Sequence, residues 1–120
     1  MSNLFIQKGN ILDYLNAGPD LAVNTILTIG ALLGITMDTI PSGQVGAVGV
    51  DGVWSLPKLS TDVMAVGDVV DWDASTGEFN SNIGVPATGD ITNGATVVEA
   101  AGSGDTTVKV KINAPFGTLN

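Results

Sequence analysis

The sequence predicts an all-β protein: a small single-domain β-sandwich or β-barrel with short turns and little helix. Two observations carry this reading. Turn signals fall at short intervals, at Gly9-Asn10, Ala17-Gly18-Pro19-Asp20, Pro41-Ser42-Gly43, Asp51-Gly52, Gly67-Asp68, Asp73 to Gly77, Gly89-Asp90, Asn93-Gly94 and Gly102 to Asp105. Short β-branched segments lie between them, the spacing of a sandwich or barrel and too close for long helices.

Taken along the chain, Ile11, Leu12, Tyr14 and Leu15 read as one isolated helical turn. From Leu21 to Met37 the abundance of Val, Ile, Thr and Gly favours two strands around Gly30 over one helix, although Ala31-Leu32-Leu33 retains helical character. Asp51-Gly52 between Val50 and Val53 fits either a hairpin turn or a bulge in a continuous strand, because Pro57 cuts the second arm short. Val66 to Trp72 and Glu78 to Ile83 form a predicted hairpin, joined by the five residues Asp73 to Gly77. The clearest strand is Thr106 to Ile112, where Val108, Val110 and Ile112 alternate with Thr107, Lys109 and Lys111, one face for the core and one for water. It pairs with Thr96 to Glu99 across the Gly102 to Asp105 loop.

Composition narrows the function. The 120 residues fit one domain with one modest core. Twelve acidic residues against four lysines give a net charge of −8, a field that repels phosphate backbones and disfavours nucleic-acid binding. Ten of the acids are Asp, many beside Gly, where the short side chain shapes turns. Leu21 to Met37 carries no charge, but Asn24, its Thr and Gly interruptions and the flanking Asp20 and Asp38 argue against a membrane span. No basic stretch precedes it, so it does not read as a signal peptide; a soluble protein is expected.

Catalytic chemistry has few candidates. The chain has no His, Cys or Arg, which removes the usual neutral-pH base, the thiolate nucleophile and the bidentate anion clamp. No phosphate-cradling Gly-x-x-x-x-Gly-Lys-Ser/Thr loop occurs, and no cofactor is expected. The tightest acidic group is Asp68, Asp71 and Asp73. In a strand, Asp71 and Asp73 would share a face and could bind a hard cation. The structural reading is stronger: Asp68 and Asp73 open turns, and Asp71 sits on the solvent face between buried Val70 and Trp72. Lys109 and Lys111 read as a solvated row. Trp54 and Trp72 read as core, with Trp54 an interface anchor if exposed.

Several segments in succession resemble one family: Asn3-Leu4-Phe5-Ile6-Gln7-Lys8-Gly9, Gly52-Val53-Trp54-Ser55-Leu56-Pro57-Lys58, Gly67-Asp68-Val69-Val70-Asp71-Trp72-Asp73 with Gly77, Ile83-Gly84, and the strand Thr107 to Ile112. The chain is similar to the capsid decoration, or cement, proteins of tailed bacteriophages, once a domain of unknown function and sometimes labelled a predicted phage recombinase. The resemblance implies a non-enzymatic β-rich protein on the outer surface of the virion head, present in the host cytoplasm during assembly. Its partners would be the major capsid protein lattice and copies of itself, a trimer first and a dimer second, with no nucleic acid and no membrane. A recombinase would need the phosphate loop and DNA-binding charge that this chain lacks. Residues 1–7 are then a candidate N-terminal arm, 8–112 the β domain and 113–120 a C-terminal tail. Leu4, Phe5, Ile6 and Trp54 are the candidate interface residues. The alternatives are a receptor-binding or adhesin-like β module and a carboxylate metal-binding module.

Overall fold

Ten short strands among the described residues build the fold, most of them set by the side chains they bury. The computed structural model describes residues 10–115 and 117–120. Among them there is no helix, and the strands form two antiparallel sheets, the all-β class that the sequence predicts.

The smaller sheet has the order β1-β4-β3-β2. Here β2 (Ile26–Ile29) and β3 (Leu32–Thr36) form the hairpin expected around Gly30, whose φ of 59° suits the left-handed turn position. The helical turn expected at Ile11 to Leu15 is instead a strand, β1 (Ile11–Leu15), paired along its whole length with β4 (Val45–Gly49) from Ile11↔Gly49 to Leu15↔Val45. An isolated turn fixes several dihedrals for one hydrogen bond, whereas joining an existing ladder adds bonds without that nucleation cost. A second small cluster, centred on Ile40, Val48 and Val50, lies on the outer face of this sheet, with Leu12, Tyr14, Leu21, Leu27 and Ile29 packed against it.

The larger sheet runs β5-β9-β8-β6-β7, from β5 (Val53–Pro57) through β9 (Thr107–Ile112), β8 (Ile91–Glu99) and β6 (Val69–Asp73) to β7 (Glu78–Asn80). A parallel bridge, Lys58↔Phe79, with the Leu59 N–H donating to the Phe79 carbonyl at 2.9 Å, joins its two end strands. The sheet thus curls toward a barrel closed at one corner. Both predicted hairpins are present. In β9 the alternation is realised residue by residue, with Val108, Val110 and Ile112 buried and Thr107, Lys109 and Lys111 exposed. Trp72 and Phe79, cross-strand partners in the β6–β7 hairpin, meet edge to face at 4.9 Å between ring centroids.

Two turn signals behave differently from the sequence reading. Asn93-Gly94 lies inside β8 rather than at a turn: Asn93 adopts φ 56° and the β6–β8 register shifts there, while Gly94 lets Leu33 approach. Asp51-Gly52 is neither hairpin nor bulge. It is the bend at which the chain leaves the small sheet after β4 and enters the large one at β5. Near the C-terminal end of the described chain, β10 (Thr118–Leu119) returns to the large sheet and pairs with β8 at Thr92 and Ile91.

The two sheets are fused through β3. Its Leu33 and Ile35 belong to the large core, with Val70, Trp72, Phe79, Ile91 and Val110. Its other face is so tight that a Cβ on Gly34 would stand 2.5 Å from Val48 Cγ1. Beyond Gly49, β4 no longer covers β3, and the Asn113 carboxamide takes its place. Asn113 Oδ1 accepts from the Leu33 N–H at 2.9 Å, and Nδ2 donates to the carbonyls of Leu33 at 2.9 Å and Val50 at 2.7 Å. Asn113→Ala strips three backbone groups of their partner and is expected to lower stability by about 2–4 kcal/mol. Gly34→Ala, which overpacks the second face, should cost about 1–3 kcal/mol. Urea unfolding with an unchanged slope checks both.

Candidate functional site

The three aspartates singled out in the sequence do not converge. Asp68 accepts the Ala65 N–H at 2.9 Å and closes its own turn. Asp73 opens the β6–β7 turn: its Oδ1 accepts the Ser75 hydroxyl at 2.6 Å and the N–H groups of Ser75 at 3.0 Å and Thr76 at 3.3 Å. The Ser75 hydroxyl leads in holding the Asp73 carboxyl below its ordinary value of 3.8, and the two N–H groups add to it.

Asp71 departs from the sequence reading. It is buried rather than solvent-facing, because the chain around Ile83 and the left-handed Asn93 cover that side of β6. Its oxygens accept one N–H each, from Asn93 at 2.8 Å and from Ile83 at 3.1 Å. A carboxylate so engaged fastens two loops and stands in for ladder bonds lost at the β8 irregularity. Asp90, also buried, does the same for Ala74 and Ala87, at 3.0 and 2.8 Å. Among the described residues no three acidic side chains are grouped to hold a metal ion.

Lys58 is the residue that sequence reasoning missed. It is 1% exposed, and its Nζ donates to the carbonyls of Leu59 at 2.9 Å, Gly102 at 3.1 Å and Asp105 at 3.0 Å. Three donors meet three acceptors, which is the condition for burying an ammonium. The group ties the Gly102 to Asp105 loop to the end of β5. A signal was available: Lys58 closes an apolar strand and is isolated from the other cations. Beside this loop lies an open cleft of about 350 Å³ rimmed by Ser55, Glu99, Asp105 and Lys109. The exposed Lys109–Glu99 ion pair at 2.9 Å adds little stability there.

What remains is surface. Leu4, Phe5 and Ile6 lie outside the described residues. Trp54 is half-buried at the seam between the sheets; its Nε1 donates to the Asp51 carbonyl at 3.0 Å, and its ring lies over Gly49. The large sheet covers the inner face of the small one at Leu33 and Ile35, and Trp54 marks the rim. Past that rim no described residue covers the same face across β1 and β4. There Leu15 and Val45, cross-strand partners, are 60% and 62% exposed, with Ile11 and Met37 also exposed and the Asp13 carboxylate standing between Ile11 and Leu15.

Three outcomes follow from the polar clamps. Asp71→Asn sets an amide NH2 against an N–H and should cost about 1–3 kcal/mol in urea unfolding. Lys58→Met leaves three carbonyls without their donor and should cost about 2–4 kcal/mol. Because the turn binds the ionised form of Asp73, its contribution is complete above pH 3.8 and disappears as pH falls through the lower folded value. Asp73→Asn should therefore flatten the acid limb of the stability profile, read as thermal midpoint against pH.

A family model described as phage cement protein matches residues 6–112, nearly the whole chain. No curated protein and no solved structure matches it. The family is a structural one and implies a place on the phage capsid. An all-β body whose buried charges are spent on its own backbone, with exposed apolar side chains on one sheet face, agrees with that assignment. The chain belongs to the phage cement protein family.

Proposed function

We propose that this protein binds the outer surface of the phage head and bridges neighbouring major capsid protein subunits, stiffening the shell against internal pressure. It acts as a homo-oligomer, trimer first and dimer second, and is present in the host cytoplasm before it joins the head. The family match over residues 6–112 carries the reading. Support comes from the exposed apolar side chains Leu15 and Val45, a cross-strand pair that no described residue covers, since exposed apolar clusters mark association surfaces. A lattice multiplies such modest contacts: several linked sites raise effective concentration without one tight bond. The net charge of −8 fits a partner other than nucleic acid.

Purified protein mixed with undecorated expanded and unexpanded heads, then imaged, tests the proposal. Density at regular positions on the outer surface is expected, with higher thermal stability of the decorated heads. Leu15→Asp combined with Val45→Asp should reduce occupancy at least tenfold while leaving the fold intact. Heads that stay bare at saturating wild-type protein would contradict the reading.

A further inference from the structure

Among the described residues β2 ends the small sheet, with β3 on one side only. Behind the two-residue turn, Ile29↔Leu32 and then Leu27↔Gly34 are the hydrogen-bonded pairs, so the backbone groups of Ile26 and Thr28 point outward. They face a groove of about 360 Å³ whose far wall is Trp72, Ala74 and Gly77 of the β6–β7 hairpin. The strand also presents apolar side chains to both faces: Ile26 packs on the large core, with the exposed Thr28 beside it, and Leu27 and Ile29 pack on the small one. An incoming strand would find apolar ground on both sides, whereas a common edge position offers one wet face.

The sequence holds a segment with that pattern. Leu4-Phe5-Ile6 is an apolar run between Asn3 and Gln7, within residues 1–9. It cannot reach its own β2. The described chain starts at Asn10, whose carbonyl accepts the Val50 N–H next to β1, at the opposite edge of the four-stranded sheet. A strand added outside β2 lies four spacings from β1, ~19 Å away. The chain from Ile6 to Asn10 spans at most ~14 Å fully extended.

We infer that Leu4 to Ile6 of a second copy add as a fifth strand to the β2 edge, with a side chain seated in the groove against Trp72 and Ala74. Lys8 follows the donated segment, and the acceptor hairpin carries Asp73 and Glu78 next to Ala74 and Gly77, a complementary pairing of charge. Donor and acceptor edges lie on opposite sides of one sheet, so the exchange closes reciprocally in a dimer or head to tail in a ring such as the trimer. This deepens the self-association part of the proposed function and is independent of the capsid contact.

Light scattering over a dilution series tests it on the full chain. Thr28→Pro removes an outward N–H and leaves the β2–β3 ladder untouched; Thr28→Val keeps that N–H. Wild type and Thr28→Val should form a closed oligomer, and Thr28→Pro should be a folded monomer by circular dichroism. Excess synthetic peptide of residues 1–9 should dissociate the wild-type oligomer, a readout that needs no variant to fold. A monomeric wild type, an oligomer retained by folded Thr28→Pro, or an oligomer indifferent to the peptide would each overturn the inference. Capsid occupancy scored in parallel separates the two readings: bare heads with the oligomer intact count against the capsid contact alone.

Discussion

Burial of β3 on both faces is the constraint on which this molecule depends. One face carries Leu33 and Ile35 into the core of the large sheet, and the other is closed by Val48 over Gly34. A strand enclosed in this way belongs to two cores at once, so neither sheet can move without disturbing the other. The polar side of the same junction is equally closed. Where β4 stops, the Asn113 carboxamide satisfies backbone groups of Leu33 and Val50 that would otherwise be stranded at the seam. Four strands alone would give a thin sheet with little interior; joined through β3 they become part of one block.

The buried polar groups extend the same logic. Lys58, Asp71 and Asp90 each bond backbone groups remote in sequence, and no buried side-chain nitrogen or oxygen among the described residues lacks a partner. Charges committed in this way are poor reagents, since a catalytic acid, base or metal ligand needs lone pairs or protons free to react. They are good fasteners in a chain without disulfides, where long loops must be held by hydrogen bonds and packing. A body fastened in this way suits a cement protein.

Much of this architecture is legible in the sequence where local pattern and tertiary demand agree. The period of two in Thr107 to Ile112 specifies a strand and its two faces, the Gly102 to Asp105 loop points to its partner Thr96 to Glu99, and the Val, Ile, Thr and Gly content of Leu21 to Met37 favours two strands around Gly30. Legibility ends where a long-range partner decides. Ile11 to Leu15 has the spacing of a helical turn, and only β4, some thirty residues away, makes it a strand. Asn93-Gly94 has the chemistry of a turn, yet the Asp71 carboxylate and the approach of Leu33 keep it inside β8. Asp71 alternates in sequence like a surface residue; its burial depends on loops that local pattern does not position. Lys58 is the extreme case, because its three acceptors are carbonyls and leave no trace in side-chain identity.

β3 and Asn113 make the two sheets one cooperative unit. Native-state hydrogen exchange measures this directly, by comparing the opening free energies of Leu33 and Gly34 in β3, Val48 in β4 and Val110 in β9. The slowest amides of both sheets should open with the same, global free energy. Exchange of the small sheet through a separate opening several kcal/mol below that of β9 would contradict it.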